Sequence, residues 1–200
     1  MFKNQLEYQS YKFNLLCDLL NCNIISNKDN KLINLSIDTF VGLVQLQYLN
    51  LDPNLIKHVE VGSFLNLNHL AHLLISNNPL SSLTRFDSMS LKLQYLDLSN
   101  VSLTSVPKGL DPYIRELRLA GNKIKQIYSG DFDDYIYLNI LVLDNNWLVS
   151  LEKDSLGRLQ YLIKLWLSGN QLNRIPSNLP PSLRELYLEM NREITQIDDL

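Results

Sequence analysis

Apolar and polar residues alternate along this chain in a pattern that returns every 21 to 24 residues. One copy reads apolar-x-x-apolar-x-apolar-x-x-Asn-x-apolar, and we number its sites as positions 1 to 11. Seven copies have, at position 1, the residues Leu46, Leu70, Leu93, Ile114, Leu138, Leu162 and Leu183. Because successive side chains of a strand point to opposite faces, each copy predicts a short strand. Its positions 4 and 6 face a core, and its positions 3, 5 and 7 face outward.

The spacing of the copies contains a longer period. The starting residues are 24, 23, 21, 24, 24 and 21 residues apart, so a unit of 69 residues repeats. Accordingly, the segment "PYIRELRLAGNKI" that starts at Pro112 returns as "PSLRELYLEMNREI" from Pro181. The shorter copies contain Pro107 and Pro176. Because proline lacks an N–H and restricts the residue before it, these returns are predicted to be extended rather than helical.

Position 9 is asparagine in six of the seven copies. Its amide can bond backbone groups that neighbouring copies leave without a partner, so stacked copies predict a ladder of asparagines. The third copy has Val101 at this position and Asn100 one place earlier. The sequence therefore predicts a local irregularity at Val101.

Repeats of this length and composition are specific to the leucine-rich repeat. The predicted fold class is α/β, a right-handed solenoid that forms a curved arc with a parallel β-sheet on its concave face and irregular or 3₁₀ turns on its convex face. Bulky residues in the returns predict a stacked spine, formed by Phe40, Phe64, Phe132 and Leu156. Residues 32–200 are predicted to be the solenoid. Residues 1–31 are predicted to be a degenerate repeat or cap, in which Cys22, Ile25, Asn30 and Leu32 fit the pattern.

The 21/24 alternation and the phrase "IPSNLPPSLRELYLEMN" resemble the small leucine-rich proteoglycans and related extracellular leucine-rich repeat proteins, over roughly Leu32 to Leu200. The resemblance implies a secreted matrix glycoprotein that binds collagen, or another matrix or signalling protein, through its concave face. A fragment of a Toll-like receptor ectodomain of innate immunity is an alternative. So is an intracellular leucine-rich repeat scaffold.

Charge and apolar content narrow the classes of partner. The net charge is −3 and the pI is about 5.6, so neither nucleic acid nor a membrane is an expected partner. No stretch approaches the roughly 18 apolar residues of a membrane span. The leader-like start is interrupted by Asn14 and Asp18, which predicts no secretory signal in this chain and leaves a fragment as one explanation. Cys17 and Cys22 fit either half of an extracellular cap or two free thiols.

Catalytic patterns do not occur in the sequence. The three histidines are His58, His69 and His72, and none belongs to a zinc-protease motif, a nucleophile elbow or a phosphate-binding loop. His69 and His72 are three residues apart at a strand entrance, which places them on opposite faces and argues against a shared metal. The chain is therefore predicted to have no enzymatic activity, cofactor or metal.

A partner-binding site is predicted on the outward strand positions. Ile140, Val142 and Trp166 are large apolar residues at adjacent outward sites, and exposed apolar clusters mark interaction surfaces. Aromatic and arginine residues are also frequent in binding hot spots. We therefore predict one concave-face site, formed by Arg118, Ile140, Val142, Lys164, Trp166 and Tyr187.

Two N-x-S sequons are candidate glycosylation sites, at Asn34 and Asn100. The ladder position of the third copy is occupied by Val101 instead of asparagine, which predicts that the neighbouring Asn100 side chain is free. Asn100 is therefore expected to be the better acceptor of the two.

Overall fold

The structure is a computed structural model of the 200-residue chain, and it describes residues 22–80, 92–110, 112–192 and 194. Cys17 and the first 21 residues of the predicted degenerate repeat or cap lie outside these residues. The second cysteine, Cys22, packs against the edge of the core.

Short parallel strands form the described part of the chain. They are β1 (Ile24–Ser26), β2 (Asn34–Leu35), β3 (Tyr48–Asn50), β4 (His58–Val59), β5 (His72–Leu74), β6 (Tyr95–Asp97), β7 (Glu116–Arg118), β8 (Gln126–Ile127), β9 (Ile140–Val142), β10 (Ser150–Leu151), β11 (Lys164–Trp166) and β12 (Glu185–Tyr187). Eight of them form one parallel sheet in the order β1-β3-β5-β6-β7-β9-β11-β12. The return segments add two small parallel sheets, β2 with β4 and β8 with β10.

The strand register follows the sequence repeat. Leu49 pairs with Leu73, Leu73 with Leu96, and so on through the sheet, so equivalent positions lie side by side. The degenerate first copy takes part, because Ile25 of β1 pairs with Leu49 of β3. The described residues contain no helix, and turns connect their strands. The predicted leucine-rich repeat solenoid with irregular returns is confirmed, whereas the division of the chain at residue 31 stays a prediction.

The core is a continuous column of leucines backed by aromatic rings. Leu117, Leu141 and Leu165 are fully buried at position 4. In the returns, Phe40 stacks on Phe64 with ring centroids 5.8 Å apart, and the other two predicted spine residues, Phe132 and Leu156, are buried. The predicted spine is therefore present, and each copy buries its apolar side chains against its neighbours.

The asparagine ladder joins successive copies. Asn146 Nδ2 donates to the carbonyl oxygens of Leu119 at 2.9 Å and Leu143 at 3.0 Å, while its Oδ1 accepts from the backbone N–H of Ile124 at 3.1 Å. Equivalent bonds are made by Asn54, Asn78, Asn122, Asn170 and Asn191. The ladder thus satisfies buried backbone groups at each junction.

The predicted irregularity at Val101 is visible as a change of partners. Val101 is buried and has no amide, so the N–H of Leu80 bonds the Asn78 carbonyl at 2.9 Å instead. Asn122 Oδ1 accepts from the N–H groups of both Val101 and Leu103. The next residue, Ser102, has a positive φ of 66°. The copy compensates for the missing amide by a local backbone adjustment.

Position 8 adopts the left-handed conformation in most copies. Positive φ values occur there at Asp29, Asn77, Asn100, Gly121, Asn145, Gly169 and Met190. The glycines have a second role at this position. A Cβ on Gly121 would overlap Oδ1 of Asn100, and a Cβ on Gly169 would overlap Oδ1 of Asn145. Glycine in one copy therefore leaves room for the asparagine side chain of the copy before it.

Candidate binding surface on the concave face

The concave face is built from the first and third residues of the strands in the large sheet. Its first column contains Tyr48, His72, Tyr95, Glu116, Ile140, Lys164 and Glu185, and its third-residue column contains Asn50, Leu74, Asp97, Arg118, Val142, Trp166 and Tyr187. Adjacent strands in such a sheet lie about 4.8 Å apart, so neighbouring side chains of a column touch. These columns agree with the outward positions predicted from the sequence.

Four side chains on the last two strands form a compact group, which we call the tryptophan cluster: Lys164, Trp166, Glu185 and Tyr187. The Trp166 and Tyr187 rings stack with centroids 4.9 Å apart and an interplanar angle of 9°. Glu185 Oε2 accepts from Lys164 Nζ at 3.0 Å and from the Tyr187 hydroxyl at 2.8 Å. Lys164 Nζ also lies 5.9 Å from the centre of the Trp166 ring. The cluster presents an aromatic surface held in place by one ion pair.

The hydrogen bonds of the tryptophan cluster shift the pKa of its members. The bond from Lys164 lowers the pKa of Glu185 and raises the pKa of Lys164. The bond to Glu185 raises the pKa of Tyr187. All three shifts favour the protonation states present at neutral pH, so the cluster keeps its arrangement there.

Four side chains of the predicted site differ from the predicted arrangement. Val142 is only 8% exposed, because Arg118 and Trp166 lie on either side of it in the same column. The prediction that Val142 is an exposed apolar anchor is therefore wrong. Arg118 points away from Trp166. Its Nε bonds Glu116 Oε1 at 2.6 Å, and its guanidinium lies 5.8 Å from the Tyr95 ring centre. Ile140 and Trp166 are half-buried rather than fully exposed.

A second aromatic group was missed by the sequence reasoning. Tyr48, His72 and Tyr95 follow each other in the first column, with centroid distances of 5.9 Å and 5.8 Å. Arg118 extends this row through its contact with Tyr95. The signal was present in the sequence, because all three rings occupy position 3 of successive copies.

Carboxylates line the carboxyl ends of the last strands. The backbone N–H of Ser168 donates to Asp144 Oδ1 at 2.7 Å, and the Ser168 hydroxyl donates to Glu189 Oε2 at 2.5 Å. Burial raises the pKa of Asp144, although the bond from Ser168 opposes that shift. Together with Asp97 and Glu116, these groups make the concave face rich in negative charge.

Within residues 22–80, 92–110, 112–192 and 194, no three His, Cys, Asp or Glu side chains are grouped as metal ligands would be. In the same residues, no helix is long and apolar enough to span a membrane. His69 Nδ1 lies 2.8 Å from the Val44 carbonyl oxygen, and His72 lies in the aromatic row of the concave face.

The two glycosylation candidates differ in their surroundings. Asn100 Nδ2 donates to Asn77 Oδ1 at 2.9 Å, and Asn77 Nδ2 donates to Asp52 Oδ1 at 2.7 Å. The expectation of a free Asn100 side chain is therefore wrong, although the residue is exposed. Asn34 is exposed on β2. Modification of either residue stays a prediction.

Comparison with known proteins identifies the repeats. A family model described as leucine rich repeat matches residues 28–80. A crystal structure of a TLR13–ssRNA13 complex superimposes with a TM-score of 0.71 and 26% identity, covering 83% of this chain and 25% of that one. A leucine-rich repeat protein of Leptospira interrogans superimposes with a TM-score of 0.64 and 26% identity, covering 85% of this chain and 45% of that one. The chain is a leucine-rich repeat protein.

Sequence relatives place the chain more narrowly. Rat lumican is 32% identical over 161 residues, which covers 77% of this chain and 46% of lumican. Pig biglycan is 38% identical over 153 residues, which covers 74% of this chain and 56% of biglycan. The resemblance to small leucine-rich proteoglycans of the extracellular matrix is confirmed by these relatives. The chain spans about half the length of these two proteins.

Proposed function

We propose that the chain is a non-enzymatic, extracellular protein-binding solenoid that recognises its partner through the concave face. The relatives are secreted matrix proteoglycans, a class that is generally non-enzymatic. The observation that carries the proposal is the tryptophan cluster. Its stacked Trp166 and Tyr187 rings are already ordered by Lys164 and Glu185, so little side-chain entropy is lost when a partner covers them.

The shape of the surface favours an extended protein. The described columns run across seven strands, whereas small molecules are usually held in enclosed pockets. The site then consists of Trp166 and Tyr187 as the aromatic contact, Ile140 as the apolar neighbour, and Lys164 and Arg118 as the charged rim. Val142 supports the site from beneath. Collagen is the partner we propose to test first, because the proteoglycan resemblance implies it.

An RNA ligand fits this face poorly. The structurally similar TLR13 was solved with single-stranded RNA, but the concave face here carries Glu116, Asp144, Glu185 and Glu189. Phosphates bind through cations, but here Arg118 and Lys164 are already paired with Glu116 and Glu185, and Asp144 and Glu189 add negative charge. We therefore favour a protein over a nucleic acid at this site.

Replacement of Trp166 tests the proposal. Trp166→Ala should weaken binding to immobilised fibrillar collagen by about 2 kcal/mol, the lower limit for an aromatic hot spot. Surface plasmon resonance measures this change, and circular dichroism checks that the fold is retained. The matched control is Asp134→Arg on the exposed convex side, which should bind as the unmodified chain does. Normal binding by Trp166→Ala together with loss in Asp134→Arg would refute the concave site.

A further inference from the structure

A second surface lies at the amino-terminal ends of the strands, outside the concave face. Tyr113, Tyr137 and Tyr161 each occupy the residue just before position 1 of three successive copies. Tyr113 stacks on Tyr137 with centroids 5.4 Å apart at 7°, and Tyr161 contacts Tyr137 in a tilted arrangement with centroids 5.8 Å apart at 32°. They remain 50%, 36% and 54% exposed. The stack is therefore an aromatic row at the surface rather than part of the core.

An open groove continues from this row toward the amino terminus. The residues that line it include His69, Lys92, Gln94, Tyr113, Arg115 and Tyr137. Lys92, Gln94 and Arg115 are exposed. Among the described residues that line the groove, none is an aspartate or glutamate. This composition contrasts with the concave face and with the net charge of −3 for the whole chain.

The stacking of the tyrosines changes what they offer to a ligand. An aromatic ring has a negative face and a positive edge. Because Tyr137 lies between Tyr113, which stacks on one of its faces, and the tilted ring of Tyr161, the edge and hydroxyl of Tyr137 are what it presents to a ligand. Positive edges, hydroxyl donors, Lys92 and Arg115 all favour a ligand that carries negative charge.

We propose that this groove and the tyrosine row bind an acidic polysaccharide, a chain of carboxylated or sulfated sugars. Charge complementarity selects an anion, and the length of the row over several copies selects a polymer. The amide of Gln94 and the tyrosine hydroxyls suit a ligand with many hydroxyl groups. An acidic protein segment fits less well, since protein interfaces are centred on desolvated apolar anchors and, of the described residues that line the groove, Ala71 is the only aliphatic one.

Binding of a size-defined heparin oligosaccharide tests this proposal, with isothermal titration calorimetry as the measurement. The double variant Lys92→Gln/Arg115→Gln should bind about tenfold more weakly, as expected for the loss of two exposed charge contacts. The matched control is Lys123→Gln/Lys125→Gln. It removes the same charge from two exposed residues that follow β7 on the carboxyl side, and it should bind normally. Binding should also weaken with rising salt.

Two further measurements test the role of a tyrosine hydroxyl and the preference for a sugar polymer over other polyanions. Tyr137→Phe keeps the stack but removes one hydroxyl, and it should weaken oligosaccharide binding about twofold or more. Poly-glutamate and single-stranded RNA should bind more weakly than the oligosaccharide. The proposal is overturned by equal losses in both double variants, by a preference for poly-glutamate or RNA, or by no oligosaccharide binding. Trp166→Ala should leave this binding unchanged, so the result is separate from the concave-face proposal.

Discussion

The two sides of the same strands follow different rules. On the inner side, position 4 is leucine in β3, β5, β6, β7, β9, β11 and β12. On the outer side, the first residue changes from tyrosine through histidine and glutamate to isoleucine and lysine along the sheet. An inner side chain must pack against the inner side chains of the preceding and following copies, whereas an outer one contacts solvent and the side chains beside it. The inner side therefore specifies the fold, and the outer side is available for recognition.

The largest contrast is expected for the inner leucines. Leu143→Ala should lower the free energy of unfolding by about 2 to 5 kcal/mol, because the fully buried Leu143 leaves a cavity between two copies. Leu188 is only partly buried in this chain, so Leu188→Ala should cost less. Urea denaturation followed by circular dichroism measures both values. Equal losses would show that burial within the stack does not determine the cost.

The ladder should give the next largest effect. Asn146→Ala removes an amide that bonds Leu119, Leu143 and Ile124, and it leaves buried backbone groups without this partner. We expect a loss of about 1 to 3 kcal/mol in unfolding free energy. Asn139→Ala is the control and should cost clearly less, since the Asn139 side chain makes one exposed bond, to the Tyr161 carbonyl. A comparable loss in the control would contradict a special role for the ladder.

Trp166 tests how much an outward-facing side chain contributes to stability, in comparison with the inner Leu143. Trp166→Ala removes the stacking on Tyr187, which is worth about 1 kcal/mol for an aromatic pair. Its effect on the unfolding free energy should therefore be smaller than that of Leu143→Ala, although its effect on partner binding is expected to be large. Thermal unfolding of both variants in parallel measures the difference. A loss as great as that of Leu143→Ala would mean that Trp166 belongs to the core.

The smallest expected effect is a pH response of the tryptophan cluster. Because Lys164 lowers the pKa of Glu185, the ion pair persists at pH values above that lowered pKa and is lost as the pH falls through it. The transition should therefore lie below the ordinary glutamate pKa of about 4.3. The chain has two tryptophans, so Trp147→Phe leaves Trp166 as the fluorescent reporter. Adding Glu185→Gln should abolish the transition, and its persistence would assign it to another group.

The sequence was sufficient for the fold because the repeat determines it. Leucines at fixed positions, the ladder asparagines and the exception at Val101 all correspond to observed packing or bonding. The outward columns were also predictable, since the register keeps equivalent positions side by side. These features depend on local spacing, which a single sequence contains.

The details of the surface depended on lateral contacts that spacing does not specify. Val142 is outward in the pattern yet buried by the side chains beside it. Arg118 pairs with Glu116 and Tyr95 rather than joining Trp166, and Asn100 is bonded to Asn77. Each outcome follows from the orientation of a long or polar side chain toward one of several neighbours. The sequence positions alone do not choose between those neighbours.

The fit of Asn100 against Gly121 limits how freely repeats can be exchanged. All seven copies have the inner leucine at position 4, which suggests interchangeable modules. However, the side chain at position 8 of one copy occupies the space that a Cβ would need in the next, as it does again for Asn145 and Gly169. A shuffled array would therefore have to transfer such residues in pairs. The smallest unit for recombination or design in this chain is the junction between two copies, and not the single copy.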